Sequence, residues 1–409
     1  MRSIPLLLFA ACAAVAAPDE DLLGKAAGYP VGHNMREAFQ EPYLVGSFSA
    51  MDSFNPSCVL APAAEPLPLK KAASEPAFRY RFANRALTLD DYMQRQRVTG
   101  LLVLKDGEIV AERYNYQRTA DMRMLSNSMA KTITALGVMK AVEEGSIHSL
   151  DDPAETYVPE LKDTLYGQTR LVNLLRMASG ARYVEDYSAH DDRRVFIDTA
   201  RSRGLVAAAR GVTERAEPEG QRFNYAGAQT EVLGLVLRAA THRTLCDYIG
   251  ATIWQPLGAE AQATWLLNPV DKLEIAQGGF NATLRDYARL GLMMASDGRG
   301  PRGAVLSREH LLAMTAAERQ PEAFRPGRMD YHGNNYFGYG LQTWLLPGSH
   351  RRFALQGIHG QAIFVDPELK LVIVHTAVGK DAAGDASGNH LGGERDALLR
   401  GIVARYGNW

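Results

Sequence analysis

Ser128-Met129-Ala130-Lys131 opens a stretch, 129–143, whose apolar residues Met129, Ile133, Leu136, Met139 and Val142 recur three to four positions apart. That period predicts a helix over 129–143. A serine followed three residues later by a lysine puts both side chains on one face of its first turn. There the amine can take the hydroxyl proton and turn a poor nucleophile into a usable one. The competing reading is an N-cap serine with an exposed lysine one turn on. The surrounding chain has to decide between them.

Upstream, Thr99–Leu104 and Ile109–Tyr114 flank Lys105-Asp106-Gly107-Glu108, and Asp-Gly between apolar runs is a strong hairpin signal. Far downstream, Tyr336–Leu345, Arg351–Gln356, Gln361–Val365 and Leu371–Ala377 read as strands, separated by Pro347-Gly348, Gly357–Gly360 and Asp366-Pro367. Glu394–Tyr406 closes the chain as a helix. Between the strand blocks the pattern is helical, with Glu231–Ala240 and Leu284–Ser296 joining 129–143, and Thr283 with Asp286 reads as a capping box. Strands at both ends and helices between them imply an α+β fold: an antiparallel sheet flanked by helices, with a mostly helical insertion domain. A cleft is expected between the two parts.

The expected division is 1–16 as signal peptide and 17–75 as an N-terminal arm. Residues 76–127 with 326–409 form the sheet domain, and 128–325 form the helical domain. In the arm, Pro56, Pro62, Pro66, Pro68 and Pro76 discourage regular structure. Met1-Arg2, the apolar run Ile4–Val15 and the small residues Ala13–Ala17 read as an export signal cleaved after Ala16. A second reading makes Phe9-Ala10-Ala11-Cys12 a lipoprotein signal with Cys12 acylated. Either way the protein is exported, periplasmic or secreted. The run is too short to span a bilayer.

The 409 residues are 46% hydrophobic and 22% charged, as in an ordinary globular protein with an ample core. A formal charge of −1 and the lack of a basic stripe give no sign of nucleic acid as partner. Cys58 and Cys246 either pair in an oxidising compartment or remain buried thiols. No zinc-like Cys/His cluster occurs, and neither metal nor cofactor is expected. There is no Gly-x-Ser-x-Gly and no His-Glu-x-x-His, which excludes the common α/β-hydrolase and zinc-protease patterns.

Seven strings in order carry a resemblance. They are Ser128-Met-Ala-Lys131, Glu144-Gly-Ser-Ile-His-Ser-Leu-Asp-Asp-Pro153, Leu174-Leu-Arg-Met-Ala-Ser-Gly180 and Phe223-Asn-Tyr-Ala-Gly227. Trp254-Gln-Pro-Leu-Gly258, Ala282-Thr-Leu-Arg-Asp-Tyr-Ala-Arg289 and Gly357-Ile-His-Gly-Gln361 before Val365-Asp-Pro367 complete them. From about Arg97 onward the chain resembles the β-lactamase-like serine hydrolases of the class C and family VIII esterase type. In look it is most similar to the 6-aminohexanoate-dimer hydrolases. The resemblance implies a β-lactamase/transpeptidase-like fold.

It also implies roles. Ser128 is the nucleophile, Lys131 its base, and Tyr225 the residue that hands a proton to the leaving group, as a tyrosinate if the lysine's charge depresses its pKa. The backbone N–H groups of Ser128 and Ile358 form the oxyanion hole, each such donor being worth about 3–4 kcal/mol in a transition state. Tyr187, His359 and Gln361 are assigned to substrate binding, whereas Glu185 and Asp186 are expected in solvent. In the aromatic cluster Tyr331, Tyr336, Phe337, Tyr339 and Trp344, core is favoured over substrate platform.

Two departures matter. Gly227 stands where relatives have an asparagine, so a side-chain amide is missing. Leu355 stands where they have a lysine that grips a carboxylate, which argues against penicillins and D-alanyl peptides.

The expected function is an exported serine hydrolase acting on a small ester or linear amide through an acyl-enzyme, as a monomer or dimer. β-Lactamase or D-alanyl-peptidase activity is the alternative. A binding or sensor domain that kept the fold is the non-enzymatic one, and the retention of all three of Ser128, Lys131 and Tyr225 opposes it.

Overall fold

A computed structural model describes residues 16–382 and 391–409. The expected signal segment, Cys12 included, lies outside the described residues apart from Ala16. Among the described residues the larger sheet has seven antiparallel strands. From edge to edge they are Gly338–Tyr339, Trp344–Leu346, Arg352–Gly357, Gln361–Asp366, Leu371–Ala377, Val98–Lys105 and Glu108–Tyr114. The N-terminal hairpin therefore completes a sheet begun by the C-terminal strands, as the sequence implies. Its turn has Asp106 at φ 53° and Gly107 at φ 83°, the two left-handed residues that Asp-Gly supplies at least cost.

Both faces of this sheet are covered, which is why Leu101–Leu104 is continuously apolar instead of alternating. Leu102 and Leu104 face the main core, shared with Ile363, Val365, Val372 and Val374. Leu101 and Val103 face a second core closed by Leu398, Leu399 and Ile402 of the helix Leu391–Ala404. On the first side lies the helix Leu284–Ala295, pressed so close at Gly291 that a Cβ there would stand 2.4 Å from Val372. The helical stretch thus returns its last long helix to the sheet. Half of the expected capping box forms: Thr283 Oγ1 accepts the N–H of Asp286 at 3.1 Å. The Asp286 carboxylate turns instead to the N–H groups of Glu260 and Ala261 and to Arg289.

The expected strand 336–345 is broken in two. Gln342 sits at φ 55° in a tight turn between Gly338–Tyr339 and Trp344–Leu346.

The arm is more ordered than Pro56, Pro62, Pro66 and Pro68 suggest, because these four lie outside its elements. Met35–Ala38 and Leu44–Phe48 are short helices, and Ser57–Leu60, just after Pro56, is a strand. That strand joins a four-stranded sheet in the order Ser57–Leu60, Ala263–Leu266, Phe280–Thr283, Arg123–Leu125. Leu23, Tyr29, Val45 and Phe48 of the arm bury themselves against Tyr116, Leu125 and Leu266. The arm therefore packs beside the segment leading into Ser128.

Of the two readings for the cysteines, the structure takes the disulfide, Cys58–Cys246, with Cα atoms 6.2 Å apart. It ties the arm's strand to the helix Leu245–Ile249 across 188 residues of chain. Closing so long a loop restricts the unfolded chain strongly. Cys58→Ser is expected to remove about 2–5 kcal/mol of stability, read as a lower thermal or urea midpoint.

Candidate active site

The helix Met129–Glu143 begins where the strand Arg123–Leu125 ends, and the turn between them is tight. Asn127 takes φ 45°, a left-handed conformation that asparagine tolerates better than most residues. Its amide donates to the Ile358 carbonyl at 3.1 Å, fastening the turn to the end of the strand Arg352–Gly357. Gly357 is required at this crossing, since a Cβ there would stand 2.5 Å from the Ser126 carbonyl and 3.0 Å from the Ser128 nitrogen. The backbones of Ser128 and Ile358 are thereby brought to one spot.

Ser128 makes no side-chain cap, so the N-cap reading fails. Its hydroxyl accepts from Lys131 Nζ at 2.9 Å, and the same amine donates to the Gln277 carbonyl at 3.0 Å. Lys131 is buried, at 2% exposure. Burial disfavours its charge and pulls its pKa down to about 8, against the opposing pull of Glu185 and Glu231. A neutral amine is thus within reach near neutral pH.

Tyr225 borders the same hollow as the serine, its ring centroid 5.1 Å from Lys131 Nζ. A depressed tyrosine pKa is not what this site produces. Burial, with Tyr187, Tyr339 and Glu185 nearby, pushes Tyr225 well above its usual value. It is a neutral phenol, and the titrating partner is the lysine.

The aromatic cluster splits between core and cleft. Tyr339 is buried, while Tyr331, Phe337 and Trp344 line the cleft. Trp344 stacks on Tyr225 with centroids 5.7 Å apart at 25°. The cluster fixes the phenol's direction as much as it forms a wall.

Residues from distant segments, not singled out in the sequence, complete the site. Adding a Cβ to Gly227 would bring it 1.7 Å from Gln277 Oε1. The glycine leaves room for the Gln277 carboxamide, which arrives from another segment. Glu185 is buried rather than solvated, accepting the Gly227 N–H at 2.6 Å and the Tyr187 hydroxyl at 3.3 Å. Asp186 is exposed as expected. Glu231 accepts from Ala276 N at 3.0 Å, and burial raises it to about 7. Apart from the neighbouring Glu185–Tyr187 pair, these contacts join segments far apart in the chain, so no local motif announces them.

The substrate-binding positions separate. Tyr187 borders the cleft on both sides of Ser128. His359 turns the other way: its Nδ1 bonds the Gly379 carbonyl at 2.7 Å and its ring packs between Phe39 and Phe48. Gln361 is buried, its amide spent on Ala377 and Ile358. Both hold the turn that presents Ile358. Leu355 is fully buried in the main core and puts no cation in the cleft.

Two hollows meet at Ser128. One is apolar, about 990 Å³ with its open mouth, and runs between the arm and the helix Asp192–Arg203. The other is aromatic and polar, and contains Tyr225, Tyr331, Trp344 and Arg395. Among the described residues, no helix is long and apolar enough to cross a membrane.

Residues 86–391 match the Beta-lactamase family. The chain is 28% identical over 367 residues to the 6-aminohexanoate-dimer hydrolase of Paenarthrobacter ureafaciens, covering 86% of this chain and 88% of that protein. A Bacillus anthracis protein provisionally assigned as a 6-aminohexanoate-dimer hydrolase superposes with a TM-score of 0.76 at 23% identity, over 88% of this chain and 95% of its own. EstCE1, a hydrolase with promiscuous acyltransferase activity, superposes at 0.57 with 16% identity, over 76% and 96%. These two structural likenesses speak for the fold.

Proposed function

Because the chain belongs to the Beta-lactamase family, a family of serine hydrolases, we propose that it cleaves a small ester or linear amide through an acyl-enzyme on Ser128. The observation that carries this is the 2.9 Å contact between Lys131 Nζ and Ser128 Oγ in a site whose burial draws the lysine's pKa down to about 8. Lys131 takes the hydroxyl proton as Oγ attacks the carbonyl carbon, and the Ser128 and Ile358 N–H groups hold the developing oxyanion.

When the C–O or C–N bond breaks, the Tyr225 phenol gives its proton to the leaving group and regains one from the Lys131 ammonium. Water then attacks the acyl-enzyme. Its proton passes by the same phenol to Lys131, which returns it to Ser128 Oγ as the acyl C–O bond breaks and the acid leaves. A neutral phenol suits this role, since it gives one proton as it takes another. No cofactor is invoked.

The enzyme is further proposed to work outside the cytoplasm, a reading supported by the apolar N-terminal segment and the Cys58–Cys246 disulfide. Leu355, sealed in the core, supports uncharged carbonyl substrates over penicillins and D-alanyl peptides. The test is a fluorophosphonate probe with a panel of p-nitrophenyl esters, 6-aminohexanoate dimer and a chromogenic cephalosporin. Stoichiometric labelling of Ser128, turnover of short esters and little of the cephalosporin are expected. An unlabelled, folded protein would overturn the reading, and rapid cephalosporin hydrolysis would overturn the argument from Leu355.

A further inference from the structure

Tyr225 borders the aromatic hollow but not the apolar one. The group that receives its proton therefore lies on the aromatic side, and the acyl chain enters the apolar hollow. This assignment rests on the proposed acyl-enzyme mechanism. The hollow's walls come from the arm, through Met35, Phe39 and Met51, and from Phe196, Ile197 and Ile275. Phe39 is held in place by Phe48 and His359, at centroid distances of 5.3 and 5.7 Å.

The charges of this hollow are unevenly free. Its acids, Glu185 and Glu231, are buried beside Lys131 and already accept backbone N–H groups. The helix Asp192–Arg203 brings Arg193 and Arg201 to the same space. The Arg193 guanidinium stacks over the Tyr187 ring at 5.0 Å. Among the described residues, no carboxylate lies within ion-pair distance of Arg193. An acyl chain ending in an ammonium, as in 6-aminohexanoate dimer, would meet cations and apolar side chains instead of a free carboxylate.

We propose that the acyl pocket selects an uncharged, apolar acyl chain of several carbons, with Phe39 setting its length and Arg193 barring an ammonium at its end. The substrates are then esters or amides of simple aliphatic acids. In this the chain parts from the substrate named for its Paenarthrobacter relative.

The test compares kcat/KM for p-nitrophenyl acetate, butyrate, hexanoate and 6-aminohexanoate on the mature protein, its Arg193→Glu variant and its Phe39→Leu variant. Each buried methylene favours binding by about fourfold, so hexanoate is expected to exceed acetate by more than tenfold. Hexanoate is expected to exceed 6-aminohexanoate by at least about thirtyfold, and Arg193→Glu to narrow that ratio at least tenfold. Phe39→Leu is expected to move the optimum toward longer chains. A flat chain-length profile, equal use of the amino ester, or a ratio unmoved by Arg193→Glu would each overturn the proposal. Fluorophosphonate labelling of Ser128 is scored in every variant. Labelling without selectivity refutes the pocket alone, whereas loss of labelling in the unsubstituted protein refutes the acyl-enzyme mechanism on which it rests.

Discussion

Ser128→Ala is expected to lower kcat/KM for p-nitrophenyl esters by at least about 10⁴-fold, with no fluorophosphonate adduct remaining. The magnitude follows from what the variant keeps and what it loses. The crossing of Gly357 over the Ser126–Ser128 turn is a backbone contact, so both oxyanion donors survive the substitution. Lys131 keeps its bond to the Gln277 carbonyl, and Tyr225 keeps its stack on Trp344. Binding and charge stabilisation persist while the covalent path is removed. Such remnants typically leave 10³–10⁴-fold acceleration over water, so the loss is large without reaching the uncatalysed rate. An unchanged unfolding midpoint would assign the effect to chemistry. Ester turnover that persisted in the folded variant would place the nucleophile elsewhere.

How far the chain can be read without its structure differs between parts, for physical reasons. The hairpin around Asp106-Gly107 is legible because its turn needs two left-handed residues in a row, a requirement few dipeptides meet. The helix 129–143 is legible from apolar residues recurring three to four positions apart, although the structure buries it on nearly every side. The arm misleads because prolines count against structure only inside an element, and Pro56 stands just before one.

Within the site, Ser128, Lys131 and Tyr225 sit in recognisable strings. Gln277, Glu231 and Glu185 do not, since what matters is their arrival from remote segments into space that Gly227 leaves open. His359 shows the reverse. It stands inside a string that borders the site, yet at φ 60° its ring is carried toward the arm.

The second large effect concerns Lys131 and its pH dependence. With its pKa near 8, the amine is about one-tenth neutral at pH 7 and mostly neutral at pH 9. A base must be neutral to accept the serine proton, so kcat/KM is expected to rise about tenfold per pH unit below about 8 and level off above it. Lys131→Met is expected to cost about 10²–10⁴-fold at the plateau and to erase this limb, with Ser128→Ala as the blank for spontaneous ester hydrolysis. Burial is the leading cause of the shift, and Glu231 opposes it by favouring the ammonium. Glu231→Gln keeps an acceptor for the Ala276 N–H but removes that negative charge, so the limb is expected to move to lower pH.

Stability carries the complementary sign. Between about 8 and the ordinary lysine value the unfolded chain holds a proton that the folded one has released, so this group makes stability rise with pH across that window. A limb unmoved in Glu231→Gln would detach the carboxylate from the lysine, and a limb that survived Lys131→Met would detach the lysine from the base.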